Sequence, residues 1–139
     1  MYLLDTNILS YWMRGDPEII SRLKQYSPAD LAFCTITLAE ILYGIEKSQR
    51  KKKKRRYKIE QVVTLLKLYA FDQAAARAYA VIRAQLERQG LLINERDTQI
   101  AAIAGANDLT VVTHNVKEFA RVKNLRVQDW ATQSDKESL

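Results

Sequence analysis

Asp5, Glu40 and Asp97 are the residues around which chemistry is easiest to build. Asp5 closes a short apolar run at residues 2–4, and a buried strand that ends in an acid points to a use for that acid. Glu40 lies in the first turn of the helix expected after a second apolar run at residues 31–36. Asp97 opens a helix that carries Ile100, Ala101 and Ala104. Residues three, four and seven places apart share one helix face, so Asp97 should sit on an inward, apolar side. A fourth acid, Glu118, falls in the first turn after the run at residues 109–113. If the fold gathers these acids, their repulsion calls for a hard divalent cation with oxygen ligands. Mg²⁺ or Mn²⁺ held there would activate a water and steady the leaving oxygen of a phosphodiester, with no nucleophilic side chain required.

Each acid also has a plainer reading. Thr37-Leu38-Ala39-Glu40 has the form of a capping box, in which the acid reaches back to an unpaired N–H at the helix start. Asn94-Glu95-Arg96-Asp97 and Asn115-Val116-Lys117-Glu118 are similar. A binding or scaffold protein whose acids only cap helices is therefore the alternative to a metal-dependent enzyme. Asp16 and Asp72 read as N-caps, and Asp30, Asp108 and Asp129 as turn or surface residues. Cys34 reads as a buried, inert thiol, and His114 as a structural or surface group. Tyr11, Trp12 and Tyr43 have the rings to stack on bases, but their spacing also suits a core.

Other machinery is excluded. The four glycines, Gly15, Gly44, Gly90 and Gly105, stand too far apart for a dinucleotide or Walker-type phosphate loop. There is no G-x-S-x-G elbow. One Cys and one His make neither an intrachain disulfide nor a Cys/His zinc site.

The elements that must position the acids follow from periodicity. Apolar strand candidates at residues 2–4, 31–36, 68–71, 109–113 and 125–127 alternate with helical patterns. Asp16-Pro17 starts one helix and Gly90 stops another. This alternation predicts an α/β/α sandwich around a central parallel sheet of about four to five strands. Ligands of such sheets bind beyond the carboxyl ends of the strands, where Asp5 would stand.

The length, 139 residues, suits one domain, and 47% apolar with 27% charged residues suits a globular one. The expected domain spans residues 1–131, with a polar, frayed tail at 132–139. No apolar run approaches a membrane span and no leader pattern opens the chain, so the expected location is cytoplasmic. The net charge of +6 points to a polyanionic partner. Yet residues 50–58 read RKKKKRRYK, and without those eight cations the remainder holds 14 basic and 16 acidic residues, a net of −2. A mildly acidic domain carries one intensely basic segment. That segment reads first as a solvated helix or loop and second as an RNA contact. Like charges one turn apart oppose helix formation there, which predicts mobility until an anion binds.

Five segments resemble, in order, the signatures of PIN-domain proteins of the VapC toxin type. They are Met1-Tyr2-Leu3-Leu4-Asp5-Thr6-Asn7, the stretch from Thr35 to Gly44, the helix from Asp97 to Ala104, Val112-Thr113-His114-Asn115-Val116-Lys117-Glu118-Phe119, and Val127-Gln128-Asp129-Trp130. The resemblance implies a metal-dependent endoribonuclease that cuts structured RNA, tRNA foremost, and is held inactive by a VapB-like antitoxin. It implies a homodimer and the PIN-like sandwich. It places Asp5, Glu40 and Asp97 as ligands of Mg²⁺ or Mn²⁺, with Asn115 at the position of a fourth acid. Thr6, Asn7 and Thr113 would orient the cluster, with Glu118 in support. Arg50, Lys51, Lys52, Lys53, Lys54, Arg55 and Arg56 match no family motif and are candidates for contact with RNA or antitoxin. Leu92-Ile93-Asn94 departs from the Pro-Ile-Gly common in relatives, so the turn before Asp97 is expected to differ.

Overall fold

A computed structural model describes residues 1–131; the expected polar tail lies outside the described residues. Five short strands, β1 (Tyr2–Leu4), β2 (Leu31–Cys34), β3 (Lys67–Tyr69), β4 (Thr110–Val112) and β5 (Val127–Gln128), form one sheet in the order β3-β2-β1-β4-β5. Every pairing is parallel. The helices are α1 (Thr6–Met13), α2 (Pro17–Leu23), α3 (Thr35–Lys47), α4 (Lys52–Leu65), α5 (Gln73–Gln89), α6 (Glu95–Ala106) and α7 (Val116–Phe119). The predicted sandwich is thus present, with strands slightly displaced or shortened at their ends.

The strands are apolar runs because both faces of the sheet are covered. Along β1, Leu3 and Leu4 point to opposite faces, as Ala32 and Phe33 do along β2 and Val111 and Val112 along β4. On one face Leu4, Phe33 and Val112 meet Ile8, Ile19, Ile41, Ile45 and Ile59, which belong to α1–α4. On the other, Leu3, Ala32 and Val111 meet Ala75 and Leu86 of α5, Ile100, Ala101, Ile103 and Ala104 of α6, and Phe119 of α7. The small side chains of α6 let it lie close on the sheet. Gly90, at φ 66°, adopts the left-handed conformation that ends α5.

Two expectations are corrected. The second strand stops at Cys34, and α3 starts at Thr35 inside the run read as strand. The basic segment is not left mobile by its own repulsion: from Lys52 it forms the first half of α4. Ile59 and Val62, buried in the core, anchor that helix from its other half. Lys58 Nζ also donates to the Met13 carbonyl at 2.7 Å, and Arg56 pairs with Glu46 at 2.5 Å. Tertiary packing outweighs the local charge cost, which amounts to a few tenths of a kcal/mol per pair.

Candidate active site

From β1 the chain steps outward to β2 and β3, then returns to place β4 on the other side of β1. The reversal leaves a crevice beyond the carboxyl ends of β1 and β4, where such sheets bind ligands. Asp5 follows β1 and Thr113 follows β4 at this crevice. The Asp5 N–H extends the ladder by donating to the Val112 carbonyl at 3.0 Å. Its side chain is the N-cap of α1: one oxygen accepts from the Ile8 N–H at 3.0 Å, and the other accepts the Thr113 hydroxyl. Asp5 is 4% exposed and Thr113 fully buried.

Thr113 passes the arrangement on. Its Oγ1 accepts from the Asn115 N–H at 2.8 Å, and the Asn115 side-chain amide donates to Asp97 Oδ2 at 2.9 Å. The same oxygen accepts the Asn94 side-chain amide at 2.9 Å. On the far wall, the Thr6 hydroxyl donates to Glu40 Oε1 at 2.7 Å and stands 3.2 Å from the Thr37 hydroxyl. Arg96 Nη1 lies 3.6 Å from Glu40 Oε2. The result is an open cavity of about 700 Å³ lined by Asp5, Thr6, Asn7, Glu40, Asp97 and Asn115 together with Asn94, Glu95, Arg96 and Gln99.

The electrostatics are those of an anion cluster short of positive charge. Burial pushes the Asp5 carboxyl up from 3.8 to about 6, and the charges of Asp97 and Glu40 push in the same direction. Burial also raises Asp97, reinforced by Glu40 and Glu118. The oxygen donors suit a hard cation, and a buried carboxylate with no cation against it is the kind of group such an ion relieves. Among the described residues, however, no three acidic, imidazole or thiol side chains are gathered closely enough to hold one ion as they stand. Mg²⁺ commonly takes one or two carboxylates and completes its shell with water, so the donor set fits it without a closed cage.

The capping readings divide. Glu40 closes no box: α3 begins two residues before Thr37, so Glu40 lies in the second turn and turns to Thr6 instead. Glu118 closes none either, because the Asn115 N–H is taken by Thr113. Glu118 lies outside the cavity lining and reaches the site through its charge on Asp97. The third box is half formed. Asn94 Oδ1 caps α6 by accepting from the Asp97 N–H at 2.8 Å, while the Asp97 carboxylate takes the Asn94 amide and stays in the cavity. Asp5 itself caps α1, a role its place at a strand end had concealed.

Three further groups at the site have roles that the sequence did not signal in full. Thr37, fully buried, accepts from Cys34 Sγ at 3.7 Å and stands beside Thr6. Asn94 braces Asp97, a role its capping position signalled only in part. Arg96 had no local signal. Cys34 is a buried thiol raised by that burial, and His114 Nδ1 sits 3.2 Å from Asp129 on the exterior, as expected of each. Of the three aromatics, Tyr11 and Trp12 pack against the core and Tyr43 is exposed beneath Lys47. The basic run also divides. Arg50, Lys51, Lys54 and Arg55 line a second cavity, whereas Lys52, Lys53 and Arg56 do not.

Fold and crevice define a class: a parallel α/β protein whose cleft offers oxygen donors and an excess of negative charge. The model of the PIN domain matches residues 2–125. A tRNA(fMet)-specific endonuclease VapC from Shigella flexneri is 35% identical over 130 residues, covering 94% of this chain and 98% of its own. A Ribonuclease VapC2 from Haemophilus influenzae is 38% identical, covering 93% and 97%. Among solved structures, VapBC2 from Rickettsia felis bound to a promoter DNA fragment has a chain that superposes with a TM-score of 0.85 at 34% identity, covering 93% of this chain and 98% of that one. DNA-bound VapBC from Salmonella typhimurium gives 0.86 at 33%, covering 94% and 98%. The chain belongs to the PIN-domain family, in its VapC branch.

Proposed function

We propose that this chain is a divalent-metal-dependent endoribonuclease, the toxin of a toxin–antitoxin pair. The observation that carries the reading is Asp5: buried at the switch point, facing two further acids, and pushed up to about 6 by burial and, to a lesser degree, by the charges of Asp97 and Glu40. Asp5, Asp97 and Glu40 would hold Mg²⁺ or Mn²⁺, with Asn115 contributing through its grip on Asp97. The ion would supply the positive charge that makes water a better nucleophile at ordinary pH and steadies a leaving oxygen.

The chain's own residues do the positioning. Thr113 orients Asp5 and Asn115 together, Asn115 and Asn94 hold Asp97, and Thr6 holds Glu40. Asn7 lines the same cavity, and its role there would be to help orient the cluster. The substrate we assign is structured RNA, and tRNA in particular, because relatives that match nearly end to end are named for tRNA cleavage. The partner we assign is a VapB-like antitoxin, since the similar structures are VapBC complexes. We assign a homodimer and a cytoplasmic location on the family resemblance; no helix among the described residues is long and apolar enough to cross a membrane.

The test is cleavage mapping on total tRNA, with wild type and Asp5→Asn side by side in Mg²⁺, Mn²⁺ and EDTA. Discrete cuts by wild type, lost in EDTA and in Asp5→Asn, support the reading. Cleavage by Asp5→Asn at the wild-type rate overturns the metal assignment. Intact RNA under every condition, with no Mn²⁺ binding by calorimetry, favours the scaffold alternative.

A further inference from the structure

The second cavity, about 440 Å³, opens between α1, α3 and the start of α4. Six cations line it: Arg14, Arg50, Lys51, Lys54, Arg55 and Lys58, with no acidic residue among the lining. Five of them belong to the RKKKKRRYK run, and the fold sets Arg14, at the end of α1, beside them. Among the described residues no carboxylate forms an ion pair with Arg14, Arg50, Lys51, Lys54 or Arg55. Lys58 is tied down by the Met13 carbonyl, and the Arg55 guanidinium lies against α3, 3.7 Å from where a Cβ on Gly44 would stand. The start of α4 adds charge of the same sign: its first turn has no acid, and Lys51 caps it with no side-chain bond. Repulsion at this site is left uncompensated by the chain.

The two cavities share walls. Asp5, Thr6 and Asn7 at the start of α1 line the acidic one, while Ser10, Met13 and Arg14 further along line the basic one. On α3 the division falls between Glu40 and Ile41. From Asn7 to Arg14 a helix rises about 10 Å, the length of about three stacked nucleotides.

We propose that the basic cavity is a phosphate-binding subsite that grips the backbone of a single-stranded stretch of the structured RNA substrate, about three nucleotides from the bond to be cut. The subsite rests on the reading of the acidic cavity as an RNA-cleaving site. It makes no base contacts, so it adds affinity and register without sequence preference. The charge pattern also answers how an acidic cleft takes in a polyanion: the strand is held by cations one helix face away.

The experiment measures binding of a labelled single-stranded RNA of about 12 nucleotides in EDTA, by anisotropy across a salt series. Wild type is compared with the exposed pocket triple Arg50→Gln/Lys51→Gln/Lys54→Gln. A control triple, Lys24→Gln/Lys53→Gln/Lys123→Gln, removes equal charge from exposed positions outside the cavity. The pocket triple should lower the slope of log affinity against log salt by about 2, at about 0.7 per phosphate contact, and the control should leave it unchanged. In cleavage assays the pocket triple should raise KM with kcat preserved. An unchanged slope in the pocket triple, or an equal fall in the control, overturns the subsite. Unaltered KM together with lost binding of a poly-glutamate peptide reassigns the cavity to an acidic protein. Asp5→Asn separates the two readings: if it loses cleavage while the pocket triple binds normally, the nuclease stands and the subsite falls. If Asp5→Asn cuts like wild type, the nuclease reading falls whatever the pocket triple does.

Discussion

The acidic and basic cavities lie side by side on α1 and α3 and are built on opposite rules. In the acidic one the three central carboxylates are held: Asp5 by Thr113 and Ile8, Asp97 by two asparagines, Glu40 by Thr6. In the basic one the charges sit on long, largely exposed stems, and few are tied. Catalytic groups must be fixed within a fraction of an ångström, whereas neutralising a phosphate backbone asks only for charge at roughly the right distance. The acidic site therefore needs hydrogen-bonding partners from several elements. The basic site needs only a cavity that collects lysines and arginines.

The sharpest way to break this contrast is to remove the best-held group. Asp5→Asn should lower RNA cleavage by more than the roughly 100-fold that loss of a supporting partner costs, and gel-based kinetics would read it. Next comes its brace. Thr113→Val should cost about 10- to 100-fold in Mn²⁺ affinity or cleavage, because Asp5 and Asn115 lose a shared partner. Thr113→Ser should recover most of it; equal damage from both would mean that volume, not the hydroxyl, is what the site needs.

Stability should move the other way from activity. Asp5 titrates near 6 in the fold against an ordinary 3.8, so the folded chain binds that proton more tightly than the unfolded chain. The stability this confers is complete below roughly pH 4 and is lost as pH rises through about 6. In EDTA at neutral pH, Asp5→Asn should thus be more stable than wild type by up to about 3 kcal/mol, with no difference near pH 4. Asparagine caps helices as well as aspartate, so α1 keeps its start. Denaturant melts at the two pH values check the sign. Added Mn²⁺ should raise the stability of wild type and leave the variant nearly unmoved.

The smallest effect is expected at the edge of the cluster. Asn94→Ala removes the cap of α6 and one of the two amides on Asp97, and should cost about 1 kcal/mol. Its effect on cleavage should be weaker than that of Thr113→Val, since Asn115 still holds Asp97. A larger loss than Thr113→Val would show that Asp97, not Asp5, is the better-held acid.

Much of this was legible locally. An acid at the end of an apolar run marks Asp5, since strand period and burial are properties of neighbouring residues. The alternation of apolar runs and helical stripes implies the sandwich for the same reason. Glu40 was legible as an acid at the right place but not in its role: Thr37 and Glu40 match a capping box, and only the earlier start of α3 denies it. Its actual partner, Thr6, is 34 residues away. Arg96 had no signal because nothing near it in sequence says what it will face.

The basic run shows the limit most plainly. From composition, +6 suggested a generally basic surface, and like charges in succession argued against a helix. Composition and periodicity pointed on their own to an α/β layer structure with acids at strand and helix ends and cations concentrated in one segment. Which acids share a crevice, and that the run's cations join Arg14 in one cavity, was decided only by the tertiary structure. Parallel strands are joined by long crossovers, so groups 30 or more residues apart meet through the order of strands, which local periodicity does not encode. Burial of Ile59 and Val62, likewise a property of the assembled core, made the charged half of α4 a helix.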